Sequence, residues 1–205
     1  MAHGVLARVA EDEFITHDVG LWTDYKLKAG KYNATSEFIH DEFIFRVAGP
    51  RSLEGLEAAT AECLHDIRFA GHRISRIDGM SVRVPRVGMA GTLGYEVHGK
   101  IEDVTAIYDA LMKAGKAFGT TKLGWTAYTM NHTENGFPQL FVHFPAPLHE
   151  DKGFMEYHGA QWRGRLPPVF SGSMGTDIRC VIFPAARSTR CVKLTVGSRE
   201  LLAQN

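Results

Sequence analysis

The chain has 205 residues, 44% of them hydrophobic, enough for one sizeable core or for one domain plus part of a second. Lysine and arginine total 23, and so do aspartate and glutamate, so no overall field draws the chain to nucleic acid or to a membrane surface. No apolar run approaches the roughly 20 residues of a spanning helix, the N-terminus has no apolar signal core, and Cys63, Cys180 and Cys191, without C-x-x-C spacing, suit free thiols in a reducing cytoplasm.

In chain order, Phe14, Ile15, Val19, Leu21, Trp22 and Tyr25 predict short strands, and Lys28 to Asn33 a turn. Phe43-Ile44-Phe45-Arg46-Val47 predicts a strand closed by Gly49-Pro50. A helix follows with Ser52 as its N-cap, and Leu53, Leu56, Cys63 and Leu64 fall near one face. The alternating run from Met80 to Val87 contains Pro85, which lacks an N–H, so it reads as an edge or interrupted strand. Tyr95-Glu96-Val97-His98 is the second strand of a hairpin. Asp103 caps a second helix, on which Val104, Ile107, Tyr108 and Leu111 recur at helical spacing and Gly115 is the stop. Thr121 to Tyr128 returns as a strand.

The resulting order is β-α-β-β-α-β, the split βαβ or ferredoxin-like unit of an α+β fold. Three regions follow: a strand-rich segment over residues 1–40, the ferredoxin-like domain over 41–136, and a proline-interrupted connection with late strands over 137–205. That last region holds a short helix near Phe154 to His158. Its strands, Cys180 to Phe183 and Cys191 to Val196, belong to an additional sheet that is incomplete or completed by a partner chain.

The densest chemistry lies in Met89-Ala90-Gly91-Thr92-Leu93-Gly94-Tyr95-Glu96. Its glycines permit a tight bend. Tyr95 can donate or accept a proton, and Glu96 can grip a flat, amidine-like edge with two parallel hydrogen bonds. From these residues alone, a hairpin carrying an ordinary Tyr-Glu pair is the favoured reading. The histidines are scattered, without H-x-H, H-E-x-x-H or a Cys/His knuckle, and His143 and His149 are loosely spaced, so no metal site is expected. Ser171-Gly172-Ser173-Met174-Gly175 lacks the first glycine of a nucleophile elbow. Arg163, Arg165, Arg179, Arg187, Arg190 and Lys193 against Asp177 form either a solvated face or a cradle for an anionic group, for which Arg163, Arg165 and Arg179 are the candidates.

The run from Arg86 to Gly99, with Gly124-Trp125-Thr126-Ala127-Tyr128 and Asn131-His132-Thr133-Glu134-Asn135-Gly136-Phe137-Pro138, resembles the glycine cleavage T-protein superfamily. Within it, the chain is similar to tetrahydrofolate-dependent vanillate and syringate O-demethylases. Phe45 to Pro50, Gly172-Ser173 and Gly197 to Leu201 look like further family landmarks. The resemblance implies the T-protein folate-binding fold and tetrahydrofolate as cofactor, with no metal. It implies Tyr95 in demethylation chemistry, Glu96 on the pterin, and Asn131 and Glu134 in the cofactor cavity.

The family has an arginine where Thr126 stands, so one cation of the folate site is missing. The chain resembles a middle-to-late part of a longer family member, which implies a heterodimeric partner or self-association to supply the rest. Three functions follow. The first is folate-linked methyl or one-carbon transfer. The second is a split relative catalysing a folate-free cyclisation, such as aziridine or azabicycle formation, with loss of an anionic leaving group. The third is a non-enzymatic binding module. A small-molecule substrate and a cytoplasmic location accompany the first two.

Overall fold

The computed structural model describes residues 4–17, 20–88, 91–138, 151–158, 180–185 and 192–196. It divides into two compact units, Met1–His40 with Leu140–Pro167 and Ser188–Asn205, and Asp41–Gln139 with Pro168–Arg187.

The first unit holds an antiparallel sheet. Strands β1 (Val5–Arg8), β2 (Glu13–His17), β3 (Ala34–Phe38) and β10 (Val192–Val196) lie in the order β1-β2-β10-β3. Helix α1 (Gly20–Ala29) takes residues expected as strands. The reason is tertiary: Leu21, Trp22 and Tyr25, about one turn apart, converge on Phe154 of α5 (Lys152–His158), with ring centroids 5.6 Å from Trp22 and 5.7 Å from Tyr25. Buried Asp24 accepts hydrogen bonds from Ser36 Oγ at 2.6 Å and Tyr157 Oη at 3.0 Å, which ties α1 to β3 and α5.

The second unit carries a six-stranded sheet and two helices that pack together. Its elements are β4 (Glu42–Ala48), α2 (Ser52–Thr60), β5 (His72–Ile77), β6 (Met80–Pro85), β7 (Gly94–Lys100), α3 (Val104–Gly115), β8 (Thr120–Lys122), α4 (Trp125–Glu134) and β9 (Cys180–Ala185), with strand order β5-β6-β7-β4-β9-β8. Phe43, Phe45 and Val47 of β4 and Tyr95 and Val97 of β7 share one core with Leu56, Ile107 and Leu111 of the helices.

Several expectations are corrected here. The run Met80–Pro85 is an internal strand, because β5, whose sequence His72-Arg73-Ile74-Ser75-Arg76-Ile77 is too polar to read as a strand alone, covers its edge. Pro85 is the last residue of β6 and costs the ladder little. Ser52 is the first residue of α2, its Oγ donating to Leu93 O at 3.3 Å, and Arg51 takes the cap position. Helix α2 stops at a left-handed Ala61, so Cys63 and Leu64 follow it. Leu64 is buried, Cys63 is exposed, and the Glu57 carboxylate accepts from the Leu64 and His65 N–H groups.

Asp103 precedes α3 without a side-chain cap, because a 3-10 turn over Ile101–Asp103 leads into the helix. Helix α3 ends at Gly115, the expected stop, and a further 3-10 turn then leads to a left-handed Gly119 (φ 73°). The strand expected to run to Tyr128 ends at Lys122. Trp125, Tyr128 and His132 then fall at helical spacing and meet ring to ring in sequence, with centroids 5.7 Å and 4.0 Å apart, which favours α4. The place beside β4 that closes a ferredoxin-like sheet is therefore taken by β9, with β8 parallel on its far side. Both late strands, β9 and β10, have neighbours on both edges within the chain. No helix among the described residues is long and apolar enough to cross a membrane.

Candidate functional site

Strands β4 and β7 pair antiparallel with Val47 opposite Tyr95, Arg46 opposite Glu96, Phe45 opposite Val97 and Ile44 opposite His98. Side chains alternate along a strand, and opposite residues share a face. Tyr95 and Val97 therefore join the helix-side core, while Arg46, Glu96 and His98 face the other way. Arg83 of β6 pairs with His98 and joins them.

On that face the Glu96 carboxylate is held from both ends. Its Oε2 lies 2.9 Å from His98 Nε2 and its Oε1 lies 3.5 Å from Arg46 Nη1. Arg46 and His98 are each 6% exposed. Gly94, opposite Ala48, leaves room: a Cβ there would stand 3.6 Å from Arg46 Nη2. Gly91 (φ 67°) brings the bend before β7 against the end of α4, where a Cβ would collide with the Asn135 side chain.

Helix α4 contributes His132, 1% exposed, whose Nδ1 donates to Tyr128 O at 2.8 Å. Burial holds this imidazole below its ordinary pKa of 6.5. The Tyr128 hydrogen bond opposes that shift and the charge of Arg46 adds to it, so the ring is neutral, with the proton on Nδ1 and Nε2 as an acceptor.

Tyr95 is 1% exposed within the helix-side core. Burial pushes its phenol above the ordinary value of 10.0, and the charges acting on it are those of Arg86 and Glu57. Tyr95 and Glu96, adjacent in sequence, thus point to opposite faces of the sheet. Asn131 and Glu134 lie on α4, half-buried and exposed respectively, and the Asn131 carbonyl accepts from Asn135 Nδ2 at 2.7 Å. Thr126 is half-buried near the start of α4. Arg163, Arg165 and Arg179, with His143, His149 and Ser171 to Gly175, lie outside the described residues. On the surface, Glu57, Cys63 and His65 bring potential ligand atoms within 4.8 Å of one another, with Cys63 Sγ 2.7 Å from His65 Nδ1.

Arg46, Arg83, His98 and His132 were not singled out from the sequence. A signal existed for two of them. Arg46 interrupts an apolar strand, and His98 follows Glu96 by two residues, the spacing that puts both on one face.

Residues 1–142 match the model of the GCVT N-terminal domain. The chain belongs to that family. The GCVT relatives include the sesamin methylene transferase of Sinomonas sp. (strain No.22), 43% identical over 181 residues, covering 86% of this chain and 40% of that protein. The syringate O-demethylase of Sphingobium sp. (strain NBRC 103272 / SYK-6) is 30% identical over 126 residues, covering 57% of this chain and 27% of that protein. The aminomethyltransferase of Flavobacterium psychrophilum is 30% identical over 95 residues, covering 46% of this chain and 26% of that protein. The chain thus spans two fifths or less of the length of these curated relatives. The T-protein superfamily, on the O-demethylase side, is the right family, and the α+β GCVT fold is its fold.

Proposed function

We propose that this chain carries the pterin-binding wall of an enzyme that moves a methyl or methylene carbon from an aromatic ether to tetrahydrofolate. The observation that carries this reading is the Glu96 carboxylate. It is held on the face of β7 away from the helix-side core by Arg46 and His98, in a segment matched to the GCVT family. The activities for which two relatives are named, methylene transfer from sesamin and O-demethylation of syringate, support the substrate class.

The donor set fits the cofactor. A pterin presents a planar edge of an amino group and a ring N–H, and a fixed carboxylate is its hydrogen-bond complement. A carboxylate oxygen can accept more than one hydrogen bond. When bound, tetrahydrofolate supplies the nitrogen that accepts the carbon. The aryl oxygen keeps the electron pair of the broken C–O bond and takes up a proton, balanced by the one that the accepting N–H loses. The resemblance implies Tyr95 as the donor or relay of that proton. Because Tyr95 lies in the helix-side core, we assign it instead to supporting the strand that presents Glu96. Asn131 and Glu134 stand on α4 beside the same bend and complete the wall in this reading. Thr126 supplies no cation, so the charge on this face comes from Arg46 and Arg83. None of the relatives named above is a cyclase.

We further infer that the rest of the cavity wall lies outside this stretch of sequence, in the same protein or in a partner chain; the matched stretch is 40% of the sesamin enzyme's length. The test is calorimetric titration of tetrahydrofolate into the protein purified with any chain that accompanies it, against a Glu96→Ala variant. Binding by the native protein and its loss by at least about tenfold in the variant are expected, the size of a charge-assisted contact. No binding by the native protein sinks the folate reading.

A further inference from the structure

Arg46 meets Glu96 through Nη1 alone, at 3.5 Å. Its Nε and Nη2 are buried and have no hydrogen-bond partner among the described residues. Those two N–H groups lie on the same edge of the guanidinium. Their spacing matches the two oxygens of a carboxylate, the arrangement that makes arginine the residue of bidentate recognition. A buried guanidinium with one long contact is costly unless a further anion or acceptor meets it.

The surroundings favour an anion. Arg83 Nε, on the same face, is also buried without a partner among the described residues, so two guanidinium groups stand against the single carboxylate of Glu96. His98 is already engaged with Glu96. His132 Nε2 is buried and without a partner among the described residues, and the charge of Arg46 acts on its ring. Gly94 keeps side-chain bulk away from Nη2.

We propose that the Nε–Nη2 edge of Arg46 is a binding site for the carboxylate of an organic acid, beside Glu96 but separate from its pterin-facing oxygens. This does not rest on the folate reading, because it concerns a different edge and a ligand of opposite polarity.

The probes are benzoate and its neutral isostere benzamide, titrated into the full chain and into Arg46→Lys and Arg46→Met. Lysine keeps the charge but not the fork. Benzoate is expected to bind the wild type and to bind both variants about tenfold or more weakly, while benzamide binds all three alike. Tetrahydrofolate and a tetrahydropterin lacking the glutamate tail separate the two sources of a carboxylate. Selective weakening of tetrahydrofolate by Arg46→Lys assigns the site to a cofactor tail. An effect on benzoate alone assigns it to an acid substrate. Should the variants melt abnormally, nitrogen-15 NMR of the wild type decides, with the Arg46 Nε–H resonance expected to shift on adding benzoate. Benzoate binding that is absent, indifferent to Arg46→Lys, or without effect on that resonance overturns the proposal. Loss of pterin binding in Glu96→Ala is read separately and bears only on the folate reading.

Discussion

His132 illustrates how one residue can tie stability to pH. Its ring is buried, donates from Nδ1 to Tyr128 O and is held below its ordinary pKa of 6.5 chiefly by burial. In the unfolded chain the imidazole takes up a proton near that ordinary value, whereas in the folded chain it stays neutral to lower pH. As pH falls below 6.5 the unfolded state therefore binds more protons and folding stability declines, until the folded pKa is passed. Above 6.5 the contribution is flat. The loss from this one group proceeds at up to about 1.4 kcal/mol per pH unit. Urea unfolding at pH 7.5 and pH 5.5 should show a larger drop for the wild type than for His132→Asn, whose amide can still donate to Tyr128 O. Equal drops would mean that His132 titrates alike in both states. Glu96 and His98 show the same dependence on surroundings in another form: a carboxylate that alone would be mobile is pinned between an imidazole and a guanidinium, and a pinned acceptor is what recognition of a planar ligand requires.

At the scale of elements, β4 and β7 pack onto α3 through a deliberate thinness at Gly99. A Cβ there would stand 2.8 Å and 2.9 Å from Phe43 ring atoms and 3.5 Å from Ile107 Cδ1. Gly99→Ala is expected to cost about 1–3 kcal/mol by overpacking, and Phe43→Leu in the same chain should recover part of it. A double-mutant cycle by denaturant unfolding reads the coupling, and simple additivity would show that the two do not compete for space. Such packing was legible only where a sequence declares its own pattern. Phe43 to Val47 and Val104 to Leu111 announced a strand and a helix through period, because each buries one face against the same core. Leu21 to Tyr25 and Trp125 to Tyr128 misled, because short aromatic runs suit either element, and the partners that chose helix, Phe154 and His132, lie further along the chain. His72 to Ile77 was silent because its alternation mixes arginine and serine with isoleucine and becomes a strand through pairing with β6. The candidate site was half legible. Glu96 came from the motif, whereas Arg46 is fifty residues away and enters through strand register, which no local pattern records.

At the scale of the whole molecule, both sheets wait for the end of the chain. Strand β9 lies between β4 and β8, and β10 lies between β2 and β3, so each sheet is completed by a strand from beyond residue 179. Pairing β4 with β9 joins segments more than a hundred residues apart, and the entropy of closing such loops is spent before the contacts form. Until then β4 presents an open edge beside β7, and β8 has no other strand partner among the described residues. Strand β9 also bears on the site, because it flanks β4 at Arg46, opposite Phe183, on the side away from Glu96. A chain ending at residue 179 should therefore lose more than its last strands. It is expected to show weakened far-ultraviolet dichroism, a broad rather than cooperative melt, and association through the exposed edges of β2, β3 and β4. Adding a peptide of residues 180–205 in trans should restore part of the cooperative transition if strand completion is the cause. A truncated chain that melts as sharply and at the same temperature as the full one would show that β9 and β10 decorate sheets already stable without them.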